Sequence, residues 1–313
     1  MAGCRGVGPA VSLALELALT RLAHYIEALL LGAVLALLRV LGPVHASNLA
    51  GWLGRNLGPV MLVTRVADTN LRRAMPELDD ARRKQIIRGV YDNLARTIAE
   101  LPHLGGFERT GSGPGFEIDP ESDARLRRIS DAGGPGIYFT GHYGNWEMLG
   151  PLSAHYDAPV AVLYRAANNP AVDRLINGLR MQAMRGQSVL FPKGAAGARA
   201  ALKHLAAGKF LGMLTDQKMN DGIAVDFFGR PAMTAPAAAA LALRFRCPVI
   251  PIRCERIGPA RLRITAEAPL ELPDSGNRQA DIRKLTLDMN YTLERWIRKV
   301  PENWFWLHRR WPK

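Results

Sequence analysis

The sequence predicts an α/β fold in which helices flank a mostly parallel central sheet, preceded by an N-terminal helical segment that associates with a membrane. The 313 residues are 48% hydrophobic and 22% charged, which is the balance of a folded globular chain. Beyond residue 115, short apolar runs alternate with longer amphipathic stretches. The short runs are continuously hydrophobic, as parallel strands buried on both faces are.

The first 45 residues form the predicted membrane-associated segment. Leu and Ala dominate residues 10–41, but the longest stretch without a charge, residues 28–38, is shorter than the roughly 20 residues needed to cross a bilayer. Glu16 and Glu27 lie three helical turns apart and therefore share one stripe. This pattern favours a tilted or interfacial membrane helix. A cleaved signal peptide ending near residues 44–46 and a buried core helix remain alternatives.

Residues 46–313 are predicted to form the catalytic domain, and residues 46–110 its helical support region. Asp79 and Asp80 open a helix whose apolar residues recur at helical spacing. These residues are Ile86, Ile87, Val90, Leu94 and Ile98. The support region therefore supplies packing rather than chemistry.

The sheet and its covering helices are predicted from residue 137 onward. The strand candidates are residues 137–140, 160–164, 188–191, 210–214 and 248–252. The helical stretches lie around residues 146–156, 170–185, 196–207 and 236–246. Ligands of open parallel sheets bind at the carboxyl ends of the strands. The reactive side chains just beyond those ends are His142, Arg165, Lys193, Asp216 and Gln217.

Three cysteines, Cys4, Cys247 and Cys254, are too few and too widely spaced for a disulfide framework or a zinc site. Their spacing favours a cytosolic environment. We expect Cys247 and Cys254 to lie in one strand as small core residues, and we expect no metal.

The strongest local signal is the segment TGHYGNWE at residues 140–147. His142 and Glu147 would lie about 140° apart on a continuous helix, so a break between them is needed before they can meet. The two glycines permit that break, and Asn145 is a suitable N-cap for a helix that begins at Trp146. Glu147 is then predicted to fold back onto the imidazole of His142, which would act as a general base. A capping histidine is the structural alternative.

This His-x4-Glu arrangement resembles the glycerolipid acyltransferase superfamily. The surrounding string is similar to its lipid A late acyltransferase branch, the lauroyl and myristoyl transferases. Further blocks resemble that branch in the same order: residues 70–77 (NLRRAMPE), 164–170 (YRAANNP), 194–197 (GAAG), 215–217 (TDQ), 227–232 (FFGRPA) and 301–311 (PENWFWLHRRW). Ala166 departs from the pattern, since proline often follows the arginine there.

The resemblance implies a reaction and a location. Such enzymes take a fatty acyl chain from acyl carrier protein and place it on the hydroxyl of a 3-hydroxyacyl chain of a lipid A precursor. They work at the cytoplasmic face of the inner membrane, and apart from the acyl donor no cofactor is expected. An acyltransferase that uses another glycolipid or a glycerophospholipid acceptor remains the alternative.

The resemblance also implies roles for the candidate residues. His142 would deprotonate the acceptor hydroxyl while Glu147 holds the imidazole. Arg180 is the first candidate and Arg165 the second for stabilising the oxyanion. Two more residues would position these groups, with Asp216 orienting one of the arginines and Gln217 supplying neutral hydrogen bonds.

The formal net charge of +13 indicates anionic partners. Acyl carrier protein, a phosphorylated lipid A precursor and anionic inner-membrane lipids all fit. Nucleic acid does not, because no reader motif is present. A catalytically silent membrane scaffold is disfavoured by the intact set of His142, Glu147 and Asp216. The tryptophans and arginines of residues 304–311 suit either a membrane interface or a packed tail.

Overall fold

The computed structural model describes residues 9–158 and 160–312. Cys4 and the first eight residues of the predicted membrane segment therefore lie outside the described residues. The strands are β1 (Gly115–Ile118), β2 (Gly136–Thr140), β3 (Val160–Tyr164), β4 (Val189–Pro192), β5 (Phe210–Leu214), β6 (Lys218–Phe227), β7 (Arg230–Thr234), β8 (Val249–Gly258) and β9 (Arg261–Ala266).

Seven of these strands form the central sheet in the order β1-β9-β8-β2-β5-β3-β4. All neighbouring strands run parallel except β8 and β9, which are antiparallel. The prediction of a mostly parallel sheet is thus confirmed. Strands β6 and β7 form a separate antiparallel hairpin.

Helices cover this sheet. They are α1 (Pro9–Leu41), α2 (Pro43–Leu57), α3 (Thr64–Ala74), α4 (Asp80–Glu100), α5 (Pro120–Ala132), α6 (Leu149–His155), α7 (Pro170–Ala183), α8 (Ala195–Ala206), α9 (Ala237–Phe245) and α10 (Arg278–Lys299). Several begin where the sequence supplies a cap. Asp79 accepts a hydrogen bond from the Arg82 N–H at the start of α4, and Asn169 caps α7 ahead of Pro170.

The core lies on both faces of the sheet, because alternate strand residues point to opposite sides. Ile137 and Phe139 of β2 belong to the larger apolar cluster, while their neighbour Tyr138 packs against the second one. Cys247 lies in the first cluster and Cys254 in the second, and both are buried free thiols. Their role as core residues is confirmed, but Cys247 precedes β8 instead of lying within it.

The N-terminal helix α1 is not a core helix. Among its described residues most large apolar side chains face outward, with Leu29 72% and Val40 85% exposed, while Leu35 and Leu38 are buried. One edge packs along α7, where the Asn169 amide donates to the Glu27 carboxylate at 2.8 Å. By length and composition, residues 18–60 contain one stretch apolar enough to cross a membrane, a test that a signal sequence also passes. Exposure of this surface excludes the buried core helix and leaves the other two interpretations open.

The tryptophan-rich C-terminus is a packed tail, so the alternative that it lies at a membrane interface is wrong. Trp304, Trp306 and Trp311 are all at most 5% exposed and pack around Phe227 and Phe228. Each indole N–H donates to an acceptor inside the protein. These rings therefore have no polar edge left to present to lipid headgroups.

Candidate active site

The candidate site lies at the carboxyl ends of the neighbouring strands β2 and β5. Thr140 pairs in register with Leu214, and His142 and Asp216 each lie two residues further along. The two side chains consequently meet, with His142 Nδ1 2.9 Å from Asp216 Oδ1. The backbone N–H of His142 donates to Asp216 Oδ2 at 2.8 Å. Two hydrogen bonds thus join the imidazole residue to one carboxylate.

Asp216 is fully buried and negatively charged. Burial alone would raise the pKa of its carboxyl, but electrostatic attraction to His142 and the hydrogen bonds from that residue hold the pKa well below its usual range. Trp304 Nε1 donates a third hydrogen bond, at 2.8 Å. An ionised Asp216 accepts the proton on Nδ1 of His142, so Nε2 is left as the lone-pair nitrogen. That tautomer is the one a general base requires.

Glu147 does not contact His142 as predicted. It forms a two-point ion pair with Arg180 of α7 instead, at 2.8 Å to Nε and 2.5 Å to Nη2. Burial alone would lower the pKa of the Arg180 guanidinium, but the hydrogen bonds and charge of Glu147 raise it. The prediction that Asp216 orients an arginine is likewise wrong. The two carboxylates exchange their expected partners because the register of β2 and β5 places Asp216, not Glu147, beside the imidazole.

Asn145 is not the predicted side-chain cap, and the chain after it starts with a 3₁₀ turn, Trp146–Met148. Its side-chain amide donates to the buried Glu100 carboxylate at 2.7 Å. Glu100 also accepts from Ser47 Oγ and from Arg256. Asn145 therefore ties the turn that carries His142 to α4.

Gly144 occupies a position that only glycine fits. Its φ is +58°, and a Cβ there would collide with the carbonyl oxygen of Cys254 on β8. We expect Gly144→Ala to lower the free energy of unfolding by about 1–3 kcal/mol. Thermal denaturation followed by circular dichroism measures this loss. Gly229→Ala is the control, because its φ is also positive but nothing lies within 4 Å of the added Cβ. Equal losses in both variants would contradict the steric argument.

An apolar cavity of about 270 Å³ opens beside His142. Both Val160 and Tyr164 line it, so the cavity follows β3 for its whole length, about 13 Å. Leu152 of α6 and Met184, the residue after α7, also line it. The walls along β3 are mostly apolar, and the Glu147–Arg180 ion pair lines the cavity together with His142. Such a shape accommodates one long hydrocarbon chain with its reactive end at the imidazole.

The remaining predicted residues lie at different distances from the imidazole. Gln217 Nε2 is 3.5 Å from His142 Nε2 and faces the same cavity. Arg180 lines the cavity and forms an ion pair with Glu147, which also lines it. Arg165 lies one strand further out, beyond β3, and is exposed at the cavity edge. The structure thus brings Gln217 and Asp216 to His142, keeps Glu147 and Arg180 as a second pair, and leaves Arg165 apart from both.

The sequence analysis did not identify Trp304, which directly contacts Asp216, the partner of His142. The segment that contains it was noted for its tryptophans, but nothing in the spacing indicated that one indole reaches Asp216 across 88 residues. The next residue also contributes, since the Phe305 N–H donates to the His142 carbonyl at 3.0 Å. The C-terminal tail is therefore part of the site.

We expect Trp304→Phe to lower turnover about ten- to hundredfold, because a hydrogen bond to a charged group is worth about 1.5–3 kcal/mol. KM should change little, since Trp304 does not line the cavity. The matched control is Trp306→Phe, which makes the same chemical change but removes a bond to the Pro301 carbonyl. Steady-state kinetics of both folded variants provides the measurement. Equal effects would mean that Trp304 acts only through tail packing.

Among the described residues, no group of three or more His, Cys, Asp or Glu side chains is arranged to hold a metal ion. A family model described as bacterial lipid A biosynthesis acyltransferase matches residues 17–313. The matched residues include His142, Asp216, the residues that line the cavity and the C-terminal tail. No curated protein matches the chain significantly.

Proposed function

Because the chain belongs to the bacterial lipid A biosynthesis acyltransferase family, we propose that it moves a fatty acyl chain from the thioester of acyl carrier protein to a lipid A precursor. The acceptor is the hydroxyl of a 3-hydroxyacyl chain. The single observation that carries the proposal is the pairing of His142 with the buried Asp216 at one end of a mostly apolar cavity. The pair supplies a base, and the cavity supplies a place for the acyl chain.

The proposed reaction uses His142 as base and then as acid. Nε2 takes the proton of the acceptor hydroxyl as its oxygen attacks the thioester carbonyl carbon. The tetrahedral intermediate collapses, the carbon–sulfur bond breaks, and the leaving thiolate takes the proton from His142. The Asp216 carboxylate holds the Nδ1–H and stabilises the imidazolium between these two steps. The products are the ester and the free thiol of the carrier.

Two groups are candidates for stabilising the negative oxygen of the intermediate. The Gln217 amide lies 3.5 Å from Nε2, so its N–H is close to any oxygen that approaches the imidazole. Arg180 is held by Glu147 in a fixed orientation at the cavity wall. Donors that are positioned before the reaction stabilise developing charge without reorganising. We propose that Gln217 and Arg180 share this role, with Glu147 as the residue that positions Arg180.

Membrane location is part of the proposal. Helix α1 packs along α7, which carries Arg180, and it presents its apolar side chains outward. An α1 held in the inner membrane would place the cavity beside the lipid that contains the acceptor. The net charge of +13 favours the anionic cytoplasmic leaflet, the phosphorylated acceptor and the acidic acyl carrier protein.

The experiment incubates the purified chain with acyl carrier proteins of several acyl lengths and a phosphorylated lipid A precursor. Mass spectrometry should show one added acyl group, lost when the free hydroxyl of the 3-hydroxyacyl chain is blocked. A parallel incubation replaces the precursor by a lysophospholipid or glycerol phosphate. Transfer to either of these acceptors, with none to the precursor, would contradict the proposed substrate.

A further inference from the structure

Helix α2 has its small side chains inside and its large apolar side chains outside. The inner face packs against α4, and the residues there are glycines where a Cβ would collide with its neighbours. At Gly51 it would meet Arg96, at Gly54 the Tyr91 carbonyl, and at Gly58 the Tyr91 ring. An amphipathic helix of a soluble domain has the opposite arrangement.

The outer face continues beyond the helix into the next turn. We call residues 43–62 the apolar ledge; its exposed large apolar side chains are Leu49, Trp52, Leu53, Leu57, Val60, Met61 and Leu62. Trp52 is 62% exposed, and Val60 and Leu62 are each 82% exposed. Leu49, Trp52, Leu53 and Leu57 recur at helical spacing and so share one side of α2. The exposed apolar side chains of residues 60–62 follow in the next turn. A contiguous apolar surface of this kind marks an interaction site.

The occupant of this surface follows from its continuity with α1. Only Gly42 separates the two helices, and α1 itself exposes large apolar side chains as far as Val40. The exposed cations Arg39 and Arg65 lie at the two borders of the ledge, where lipid phosphates would meet them. An exposed tryptophan among leucines is typical of the boundary between headgroups and acyl chains. A single bilayer surface would therefore contact both α1 and α2.

We propose that the apolar ledge lies in the interface of the membrane that holds α1, as a second lipid-contacting element. On this proposal the membrane-associated part of the chain extends about one helix beyond the predicted residues 1–45. The ledge inserts along its outer face, and its glycine face stays on α4. This assignment rests on the membrane location proposed above, but not on the proposed reaction.

A chain of buried hydrogen bonds connects the ledge to the active site. Ser47, on the inner face of α2, donates to Glu100 at 2.7 Å, and Glu100 accepts from Asn145 at the same distance. Asn145 lies three residues after His142. Contact with lipid at the ledge therefore fixes the depth at which the cavity faces the bilayer.

The test measures the depth of Trp52 in the full-length protein reconstituted in vesicles of phosphatidylglycerol and phosphatidylethanolamine. One set of vesicles carries bromine near the carbonyl end of the acyl chains, and another carries it near the methyl end. The Trp52 signal is the difference between the wild type and Trp52→Phe. We expect stronger quenching by the shallow bromines than by the deep ones, and little quenching by aqueous iodide.

Two further reporters are built in the Trp52→Phe background. Leu62→Trp places an indole at the other end of the ledge, and Tyr291→Trp places one on α10 at a residue that is 50% exposed outside the ledge. Position 62 should behave like Trp52, and position 291 should respond only to iodide. Iodide quenching at 52 and 62 equal to that at 291 would overturn the proposal. So would protection from iodide without bromine quenching, which is the result for a protein partner or a second copy.

Discussion

Replacing His142 by Ala is expected to lower turnover by about a hundredfold to ten-thousandfold, the usual cost of removing a general base. Nε2 of His142 faces the cavity, and Gln217, its nearest polar neighbour there, cannot accept a proton. Steady-state turnover at saturating acceptor and saturating acyl carrier protein measures the loss. Because His142 is 20% exposed at the side chain, the variant should keep its fold.

The control is Gln85→Ala, which removes an exposed neutral side chain on α4. It should turn over at the wild-type rate. A melting curve of both variants separates loss of chemistry from loss of folding. Near-normal turnover by a folded His142→Ala protein would contradict the mechanism.

Asp216→Asn should lower turnover by a similar factor. The carboxylate accepts hydrogen bonds from the His142 N–H, from His142 Nδ1 and from Trp304 Nε1. The asparagine amide offers one acceptor oxygen and turns an N–H₂ group toward the other donors. His142 is then no longer held with its proton on Nδ1, and Nε2 loses its role as base. Turnover compared with Asp221→Asn, an exposed aspartate on β6, measures the effect.

The same substitution should change how stability depends on pH. The pKa of Asp216 is lower in the folded state than in the unfolded chain, so its contribution is present above the unfolded value of about 3.9. The contribution is lost as the pH falls below that value toward the lower folded pKa. Asp216→Asn lacks this dependence, so the gap between the two melting temperatures should narrow as the pH falls below about 4. A constant gap would mean that the Asp216 carboxyl titrates alike in both states.

Most members of the site were predictable, but Trp304 and the pairing of the side chains were not. Each strand end was visible as an apolar run followed by a polar residue, which located His142, Arg165, Asp216 and Gln217. Strand order decides which of them meet, and the sequence contains no local signal for it. Because β5 lies between β2 and β3, Asp216 is placed beside His142 while Arg165 is one strand further away. Proximity along the chain favoured Glu147, whose actual partner is 33 residues away.

The strands could likewise be predicted only in part from the sequence. The five predicted strands exist, and each contains the continuously apolar run from which it was predicted; β4, at the sheet edge, is the one among them that is not buried. Strands β1, β6, β7 and β9 were not predicted, since β1 has only four residues after a glycine-rich loop and β9 alternates apolar residues with arginines. The tail was ambiguous for a related reason. Tryptophans next to arginines suit lipid or a core equally, and only the tertiary acceptors for the three indole groups decide between them.

The most direct test of the proposed mechanism is a double-mutant cycle. Turnover is measured for Asp216→Asn and for Glu147→Gln, each in the wild type and in the His142→Ala variant. Asp216 acts only through His142, so Asp216→Asn should cause no further loss once the imidazole is gone. Glu147→Gln acts through Arg180 and should lower turnover by the same factor with or without His142. The account is contradicted if Asp216→Asn keeps its full effect in the His142→Ala background, or if Glu147→Gln loses its effect there.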